Sequence, residues 1–294
     1  MKVSIGIPAY NEENNIGQLL DSIERQRTQE VVIGEIIVVS SGSTDRTAEI
    51  VKAKYRNDKV FLFVESEREG KVSAINLFMR AAVNDICVLS NADIILEPDT
   101  IERLCLPFKD SSVGMTGARV IPTNDARTFV GFLCHFRWRM SHEVSLIRPV
   151  LGELVAFRNV IPLIPNTAAD ESSIEAAIKE RQYEVVYVPE AIFHNHGALT
   201  LSDYIKQRRR IATGQLRLKT LIGYSASSQN ISIMLSAMLK TLSFTWRSLC
   251  WTPAAILIEI YSRLLAYYDF YIKKSNPYIW DIAGTTKEGF GRLR

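Results

Sequence analysis

The sequence has few cysteines and no segment of the kind that directs secretion. Its four cysteines, among 294 residues, are widely spaced, which excludes a zinc ribbon or a disulfide-stapled domain. Met1-Lys2 leads directly into an apolar strand pattern, without a basic and then apolar leader. We therefore expect reduced thiols and a cytoplasmic setting.

Long uninterrupted hydrophobic runs are also missing. The two most apolar stretches are Ile231–Phe244 and Pro253–Tyr271. The first is shorter than the ~20 helical residues that span a bilayer. The second contains Glu259, Arg263 and Asp269, each of which costs ~2.5–3.5 kcal/mol at a bilayer centre. Three alternatives remain open: a buried helical subdomain, an appendage that lies on a membrane or forms an oligomer, and, less favoured, a transmembrane span.

Acidic residues are scarce in the last third of the chain. Residues 201–294 contain fourteen Lys and Arg against five Asp and Glu, a net charge of +9, whereas residues 1–200 carry −6. A basic, aromatic-rich segment favours a phosphate-bearing partner or an anionic membrane surface. RNA would give the same signature, so charge alone leaves the partner open.

Short β-branched runs alternate with helical periodicity in the first hundred residues. Strands are predicted at Val3–Ile7, Glu35–Ser40, Val60–Glu65 and Ile86–Ser90, with helices near 14–27, 44–55 and 71–83. This alternation predicts a mainly parallel α/β sheet flanked by helices. Beyond about residue 200 the pattern is helical, so we expect an α/β domain over residues 1–200 and a basic, apolar helical region over 201–294.

Three of the predicted strands end in clusters of small and acidic residues. The carboxyl ends of parallel strands border the crevice in which such sheets bind ligands. The third cluster, Ser90-Asn91-Ala92-Asp93, offers oxygen ligands for a hard divalent cation bound to phosphates. Gly70-Lys71, at a predicted helix start, supplies a cation near a diphosphate. These residues indicate a nucleotide site.

The motifs resemble those of family 2 inverting glycosyltransferases. Five phrases occur in the order of that family: Ile7-Pro-Ala-Tyr-Asn-Glu-Glu13, Val38-Val-Ser-Ser-Gly-Ser-Thr-Asp45, Gly70-Lys-Val-Ser-Ala-Ile-Asn76, Ser90-Asn-Ala-Asp93 and Gln207-Arg-Arg-Arg210. The resemblance covers about residues 1–215 and implies a GT-A fold and a nucleotide-diphosphate sugar as donor. The helical tail is similar to that of membrane-associated members.

The resemblance also implies which residues bind the donor. Tyr10 would stack on the base, and Glu12 would accept from ribose hydroxyls. The other donor contacts would fall on Pro8, Ser41, Lys71, Asn91, Ala92, Asp93 and Arg210. Asp93 would hold Mg²⁺ or Mn²⁺, which neutralises charge on the leaving diphosphate. Arg158 would contact the acceptor.

The sequence departs from the family pattern in three places. Ser40 and Ser41 stand where two acids are usual, which leaves the base open, with UDP favoured over GDP. Asn91 replaces the first acid of the triplet that ends at Asp93, so we expect weaker affinity for the ion. Ile211 replaces a tryptophan that processive relatives carry.

Inverting transfer requires a base on the face of the sugar opposite the departing phosphate. Asp170-Glu171, at a predicted helix start, resembles the acidic pair of the family, whose second member is the base. Register favours Glu171 and residue type favours Asp170, so both remain candidates.

Together these features predict an inverting, metal-dependent glycosyltransferase of the hexosyltransferase type, peripheral to the cytoplasmic face of a membrane. Its acceptor would be a lipid-linked or cell-surface glycan, no nucleic-acid partner is expected, and a homo-oligomer stays open. One alternative is a sugar nucleotidyltransferase, although the segment after the first strand is not a glycine-rich phosphate loop. The other is a non-catalytic nucleotide-, RNA- or lipid-binding module, favoured by Ser41, Asn91 and the arginine cluster.

Overall fold

Strands and helices alternate along most of the chain in the computed structural model, which describes residues 1–54, 58–161, 163–224, 231–242, 245–274, 284–287 and 289. The strands are β1 (Lys2–Ala9), β2 (Val32–Ser41), β3 (Val60–Glu65), β4 (Ile86–Ser90), β5 (Ile94–Leu96), β6 (Val113–Pro122), β7 (Leu154–Arg158) and β8 (Glu184–Asn195). The helices are α1 (Ile16–Glu24), α2 (Thr47–Ala53), α3 (Lys71–Ala81), α4 (Thr100–Cys105), α5 (Phe129–Ile147), α6 (Asp170–Glu180), α7 (Leu201–Ile222), α8 (Ile231–Thr241) and α9 (Trp246–Tyr267). The predicted ends at Tyr55 and Phe244 lie outside the described residues.

The strands form one mixed sheet in the order β3-β2-β1-β4-β7-β6-β8-β5. The first four strands in this order are parallel, as the alternation predicted, so their carboxyl ends meet at one edge. β7 is antiparallel to β4 and β6, β8 is parallel to β6, and β5 is antiparallel to β8. The fold is therefore an α/β sheet in which β3, β2, β1 and β4 are parallel and the other half is mixed.

Helices cover both faces of the sheet because its central strands are apolar on both sides. In β1 only the first residue is exposed. α1 and α4 pack on one face through Ile16 and Ile101, while α3 and α6 pack on the other through Ile75 and Ile174. Burial on both faces is the arrangement that a parallel sheet requires.

Helix α3 lies unusually close to strand β1. A Cβ added at Gly6 would be 2.3 Å from the ring of Phe78, which is fully buried. Only glycine leaves room for the ring at this crossing. Gly6 thereby fixes the height of α3, whose first residue is Lys71, above the sheet.

Strand β8 contains a proline. The sequence pattern predicts a strand over Glu184–Val188 that ends at Pro189, because proline cannot donate a ladder hydrogen bond. In the structure Ala118 pairs with Val188 but Arg119 pairs with Ile192, so the register shifts at this point. The bulge leaves Pro189 outside the ladder, and the strand continues beyond it.

The tail helices pack on α5 and share a core with it. Phe132 and Met140 of α5 form one buried cluster with Ala237 of α8 and Ala255 of α9. The ring of Trp251 meets that of Phe132 edge-on, with centroids 5.4 Å apart. The chain changes from alternating to purely helical structure at α7, yet the two parts are joined by this packing.

The charged residues of the second apolar stretch, Glu259, Arg263 and Asp269, are paired within the tail. Glu259 accepts hydrogen bonds from Arg208 at 2.8 and 2.9 Å and from Arg263 at 3.0 Å. Arg209 pairs with Asp269. Burial alone would raise the pKa of Glu259. The charge of Arg208 outweighs burial and holds that pKa well below its usual range. The charges that interrupt the apolar stretch are thus neutralised by one ion pair within α9 and by ion pairs from α7 to Glu259 and Asp269.

The outer side of the tail is apolar and exposed. The exposed side chains include Trp246, Leu249, Leu257, Ile260, Leu264, Tyr267, Tyr271 and Ile272. Over the part of the chain that the structure describes, one helical stretch, Trp246–Ile272, is long and apolar enough to cross a membrane. Only 22% of its most apolar window is buried inside the molecule.

Candidate active site at the carboxyl edge of the sheet

A cavity of about 830 Å³ lies beyond the carboxyl ends of β1, β2 and β4. Its walls come from the sheet edge and from helices of the tail. The predicted donor and catalytic residues that line it are Pro8, Tyr10, Glu12, Ser41, Lys71, Asn91, Ala92, Asp93, Asp170, Glu171 and Arg210. The structure therefore brings together residues that are up to 200 positions apart.

The loop after β1 and the turn after β2 form one end of this cavity. The guanidinium carbon of Arg68 lies 4.1 Å from the centroid of the Tyr10 ring, a cation–π distance. The Ser41 hydroxyl accepts a hydrogen bond from the Glu69 N–H at 3.2 Å. This end offers an aromatic face and neutral hydroxyls, which suit a flat, polar ligand such as a nucleoside base.

Glu12 is buried at the same end. The side-chain amide of Asn15 donates to one of its carboxylate oxygens at 2.8 Å, and the Lys287 ammonium pairs with the other. Burial and the charge of Asp93 raise the pKa of Glu12 to about 7, although Lys287 and Asn15 oppose the shift. Glu12 therefore exchanges its proton near neutral pH.

The triplet Asn91-Ala92-Asp93 directly follows β4. The Asn91 N–H donates to the carbonyl of Glu153 at 2.9 Å. Within the described ranges, no three His, Cys, Asp or Glu side chains are grouped so as to hold a metal ion. The donor set is instead one carboxylate beside a neutral amide, which fits an ion that takes its other ligands from a diphosphate and water. Burial and then the charge of Asp93 raise the pKa of Glu12 and of Glu153. A cation bound at Asp93 would relieve the part of this shift that Asp93 causes.

Lys71 connects the start of α3 to the start of α6. The residue before it, Gly70, has a φ of 93°, which favours glycine. The Lys71 ammonium lies 2.5 Å from Asp170 Oδ2 and 3.1 Å from Glu171 Oε1. Burial lowers the pKa of Lys71, but the two carboxylates outweigh burial and raise it. Lys71 is thus a lasting positive charge held on the acidic pair.

The pKa values of the two acids at the start of α6 shift in opposite directions. Burial and the charge of Glu171 raise the pKa of Asp170, against the effect of Lys71. Burial also acts on Glu171, but Lys71 lowers its pKa. Glu171 further accepts from the Glu153 N–H at 3.3 Å. Asp170 therefore has the greater affinity for a proton.

The three consecutive arginines of α7 point in different directions, as helical geometry requires. Arg208 and Arg210 line the cavity, whereas Arg209 turns to Asp269. Arg208 is engaged by both oxygens of Glu259. Burial lowers the pKa of Arg210, and the acids of the cavity act in the opposite sense.

The structure corrects the acceptor role predicted for Arg158. This residue is paired with Ile86, the first residue of β4, and so lies at the sheet edge opposite the cavity. Its guanidinium donates to the carbonyls of Val113 at 2.8 Å, Asp110 at 3.0 Å and Phe108 at 3.1 Å. Because β7 runs antiparallel to β4, its carboxyl end points away from the site. Arg158 instead holds the connection between α4 and β6.

Glu153 is an acid of the cavity, and the sequence places it in a segment, Gly152-Glu153, that resembles the acceptor side of family 2 glycosyltransferases. Its backbone has a φ of 63°, which is uncommon for a residue other than glycine and typical of functional sites. Its side chain accepts from the amide of Asn195 at 2.8 Å. Burial and the charge of Asp93 raise the pKa of Glu153 to about 7. The pair Gly152-Glu153 marks this segment in the sequence, but it does not by itself assign a role to the carboxylate.

Arg137 of α5 is a residue that the sequence did not identify. It lines the cavity near Glu153, and its guanidinium lies 4.1 Å from the centroid of the Trp138 ring. No carboxylate of the described residues forms an ion pair with it. Burial and the nearby charge of Arg208 lower the pKa of Arg137. A buried cation in this position favours the binding of an anion.

Beside Arg137 the cavity continues into an apolar groove between α5, α8 and α9. Its lining side chains are Phe136, Met140, Met234, Met238, Ile256 and Ile260. The groove is bordered by Arg263 and Glu259. One continuous space thus runs from acidic and basic groups at the sheet edge to an aliphatic surface.

The mixed sheet, its acid-lined carboxyl edge and its helical cover define a glycosyltransferase of the GT-A fold. The sequence matches the family model of glycosyl transferase family 2 over residues 4–154. It also matches that of glycosyl transferase family group 2 over residues 92–276. The chain belongs to glycosyltransferase family 2.

Two relatives illustrate the similarity. An N-acetylglucosaminyltransferase from Mesorhizobium japonicum is 24% identical over 246 residues, which cover 76% of this chain and 57% of the relative. An undecaprenyl-phosphate 4-deoxy-4-formamido-L-arabinose transferase from Proteus mirabilis is 32% identical over 204 residues, which cover 62% of this chain and 61% of the relative. The chain thus spans less than two thirds of each.

Solved structures share the fold. A mannosyltransferase from Pyrobaculum calidifontis in complex with GDP-Man and Mn²⁺ has a TM-score of 0.67 at 22% identity, covering 93% of this chain and 88% of that one. Glucosyl-3-phosphoglycerate synthase from Mycobacterium tuberculosis, in complex with Mn²⁺, UDP and phosphoglyceric acid, has a TM-score of 0.54 at 19% identity, with coverages of 74% and 78%. Similarity at these identities establishes the fold.

Proposed function

We propose that the protein transfers a sugar, with inversion, from a nucleoside-diphosphate sugar to a hydroxyl of a lipid-linked glycan at a membrane surface. The observation that carries this proposal is the single cavity that joins the acid-lined sheet edge to the apolar groove between α5, α8 and α9. A polar donor and an amphiphilic acceptor would meet in it. The relative named as an undecaprenyl-phosphate transferase supports a lipid carrier.

The donor would lie with its nucleoside against Tyr10, Glu12 and Ser41, and with its diphosphate toward Arg210. Neutral hydroxyls at the base end favour UDP, with GDP as the alternative; one solved neighbour contains UDP and another GDP-Man. Asp93, with Asn91 and Ala92 beside it, would hold Mg²⁺ or Mn²⁺, which when bound neutralises charge on the departing diphosphate.

Asp170 is the base that we assign to the acceptor hydroxyl. Attack on the anomeric carbon from the face opposite the diphosphate requires a carboxylate that takes the hydroxyl proton. Asp170 has a raised pKa, whereas Lys71 keeps Glu171 ionised. Glu171 would therefore position Lys71 and the Glu153 backbone, and Asp170 would accept the proton.

Arg137 favours a second candidate, in which a lipid phosphate is itself the acceptor. A guanidinium without an ion-pair partner among the described residues lies where the apolar groove meets the site. A phosphate oxygen is already ionised at neutral pH and needs no base. The two candidates therefore differ in their dependence on Asp170.

The first experiment measures thermal stabilisation by UDP and GDP with and without Mn²⁺, in the wild type and in Asp93→Ala. We expect a metal-dependent shift in the wild type and its loss in Asp93→Ala, with a melting temperature of the free variant no lower than that of the wild type. Stabilisation by RNA alone would favour the non-catalytic module. Full transfer activity in Asp93→Ala would remove Asp93 from the mechanism.

The second experiment identifies the products by mass spectrometry, from a panel of donors incubated with membrane lipid extracts. With the acceptor in hand, Asp170→Asn, Glu171→Gln and Arg137→Gln are compared. Loss of turnover in Asp170→Asn with normal donor affinity supports a hydroxyl acceptor. Normal turnover in Asp170→Asn, combined with a raised acceptor KM in Arg137→Gln, supports the lipid phosphate.

We further propose that residues 1–200 form the catalytic domain and that residues 201–294 hold it on the cytoplasmic face of a membrane. The exposed apolar side of α9 supports this placement. An apolar exposed side, with the charged residues turned toward the protein, is typical of a helix that lies in a membrane–water interface. A homo-oligomer that buries the same surface is the alternative, and it would appear as a larger particle in detergent-free solution.

A further inference from the structure

The residues 284–287, here called the C-terminal strap, lie across the base end of the cavity. The Thr285 hydroxyl donates to Asp203 Oδ2 at 2.8 Å and accepts from the Leu199 N–H at 3.2 Å. The side-chain amide of Asn14 donates to the Lys287 carbonyl at 2.9 Å. The strap is therefore fastened at one end to the start of α7 and at the other to the loop after β1.

These anchors hold the backbone of the strap without using the ammonium of Lys287. That ammonium forms an ion pair with Glu12 and donates to the Tyr10 carbonyl at 3.1 Å. The side chain is about one quarter exposed, at 26%, and lines the cavity together with Pro8 and Tyr10. The strap thus delivers a cation to residues that would contact the nucleoside.

An ammonium has three N–H donors. Among the described residues, the Lys287 ammonium meets two acceptors, Glu12 and the Tyr10 carbonyl. The Lys287 side chain lines the end of the cavity where the charges of Glu12 and Asp93 interact. The ammonium therefore has one N–H beyond those that the described residues engage, at the place where a nucleoside would lie.

We propose that the C-terminal strap completes the donor site and that Lys287 donates a hydrogen bond to a ribose or base oxygen of the nucleoside. The proposal rests on the function proposed above, and it assigns to the far end of the chain a contact that none of the sequence motifs contains. It also gives Lys287 a positioning role, because its ammonium pairs with one carboxylate oxygen of Glu12 while the side-chain amide of Asn15 donates to the other.

The test is nucleotide binding by calorimetry in the full-length chain, with UDP, GDP and 2′-deoxy-UDP as probes. Lys287→Met should weaken binding of the preferred nucleotide about tenfold, the effect of one charge-assisted hydrogen bond. Lys287→Arg keeps the charge and should restore most of the affinity. Lys52→Met, which removes an exposed lysine of α2, is the matched control and should bind as the wild type does.

Thr285→Val removes an anchor of the strap and leaves the ammonium intact. It should weaken nucleotide binding less than Lys287→Met does, with kcat changed less than KM. The probe 2′-deoxy-UDP identifies the oxygen that Lys287 contacts. If Lys287→Met and the wild type bind 2′-deoxy-UDP equally well, the contact is with the ribose 2′-hydroxyl. If Lys287→Met still binds it more weakly, the contact is with another nucleoside oxygen.

Unchanged or tighter nucleotide binding in Lys287→Met would overturn the proposal, because the lysine would then be neutral or obstructive. Equal losses of nucleotide affinity in Lys287→Met and Lys287→Arg would also overturn the proposal. Arginine retains the positive charge and the N–H donors, so equal losses would mean that neither is used. A wild type that binds nucleotide but transfers no sugar would remove the proposed function and leave the strap proposal standing.

Discussion

At the scale of single residues, acidic and basic side chains line the same cavity and shift one another's pKa values. Lys71 stays ionised because it lies between the carboxylates of Asp170 and Glu171. Glu12 and Glu153 share the influence of Asp93, and each has a pKa of about 7. The site therefore changes its charge in the range where cells keep their pH.

The raised pKa of Glu153 predicts a pH-dependent effect of Glu153→Gln on stability. The pKa of Glu153 is about 7 in the folded protein against an ordinary 4.5, so between these values the folded state binds more protons than the unfolded state. Stability contributed by this carboxyl is complete below pH 4.5 and is lost as the pH rises through 7. Glu153→Gln should therefore exceed the wild type by about 1–3 kcal/mol at pH 8 and match it at pH 4.5.

Denaturant unfolding at the two pH values measures this difference. Glu184→Gln, at an exposed position of β8, is the control and should show no such pH dependence. Equal stabilities of Glu153→Gln and wild type at pH 8 would contradict the raised pKa.

At the scale of elements, the sequence was informative wherever the structure is locally determined. β1, β2, β3 and β4 are recognisable because β-branched runs end in polar clusters, and their parallel order follows from the helices between them. β5 has only three residues, which is too short for a periodic signal. β7 was not predicted, because its apolar run of five residues is too short to distinguish a strand from a buried helical segment.

The same distinction applies to the candidate site. Donor-side motifs lie on consecutive strands, so their proximity follows from topology. Arg137 on α5 and Lys287 near the end of the chain reach the cavity through tertiary packing, which no local pattern encodes. Arg158 shows the opposite error. The resemblance to the family predicted that Arg158 contacts the acceptor, but β7 runs antiparallel to β4 and places Arg158 at the edge of the sheet opposite the cavity.

The crossing of β1 and α3 predicts that Gly6→Ala is destabilising. The added methyl would overlap the Phe78 ring, which has no space into which it can move. We expect a loss of about 1–3 kcal/mol in the free energy of unfolding, the usual cost of overpacking a core. Weaker nucleotide binding should accompany it, because Lys71 moves with α3.

Gly17→Ala in α1 is the matched control for chemical unfolding. Its added Cβ would meet Ile50 at an ordinary 3.6 Å. Since alanine is the better helix former, this variant should be unchanged or more stable by up to about 1 kcal/mol. A Gly6→Ala protein as stable as Gly17→Ala would show that the crossing tolerates a methyl group.

At the scale of the whole molecule, the exposed side of the tail predicts binding to lipid vesicles. Trp246 and Leu264 are 68% and 62% exposed on α9. The double variant Trp246→Glu/Leu264→Glu should lower vesicle affinity about tenfold or more, while leaving nucleotide binding unaltered. The effect should be strongest with anionic vesicles, because the tail is basic.

Co-sedimentation with neutral and anionic vesicles makes this measurement. Val83→Glu places a charge on an equally exposed apolar residue of the α/β part and should sediment as the wild type does. If the wild type stays in solution with both vesicle types, or if the double variant sediments unchanged, α9 does not bind membranes.

The cavity takes its lining from the sheet and from α7, α8 and α9 alike. In the function proposed above, sugar selectivity would therefore depend on both halves of the chain. A chimera that grafted this α/β part onto the tail of a relative would keep every donor-side motif, yet it would present the sugar with different neighbours. Engineers who wish to redirect the enzyme should exchange both halves together.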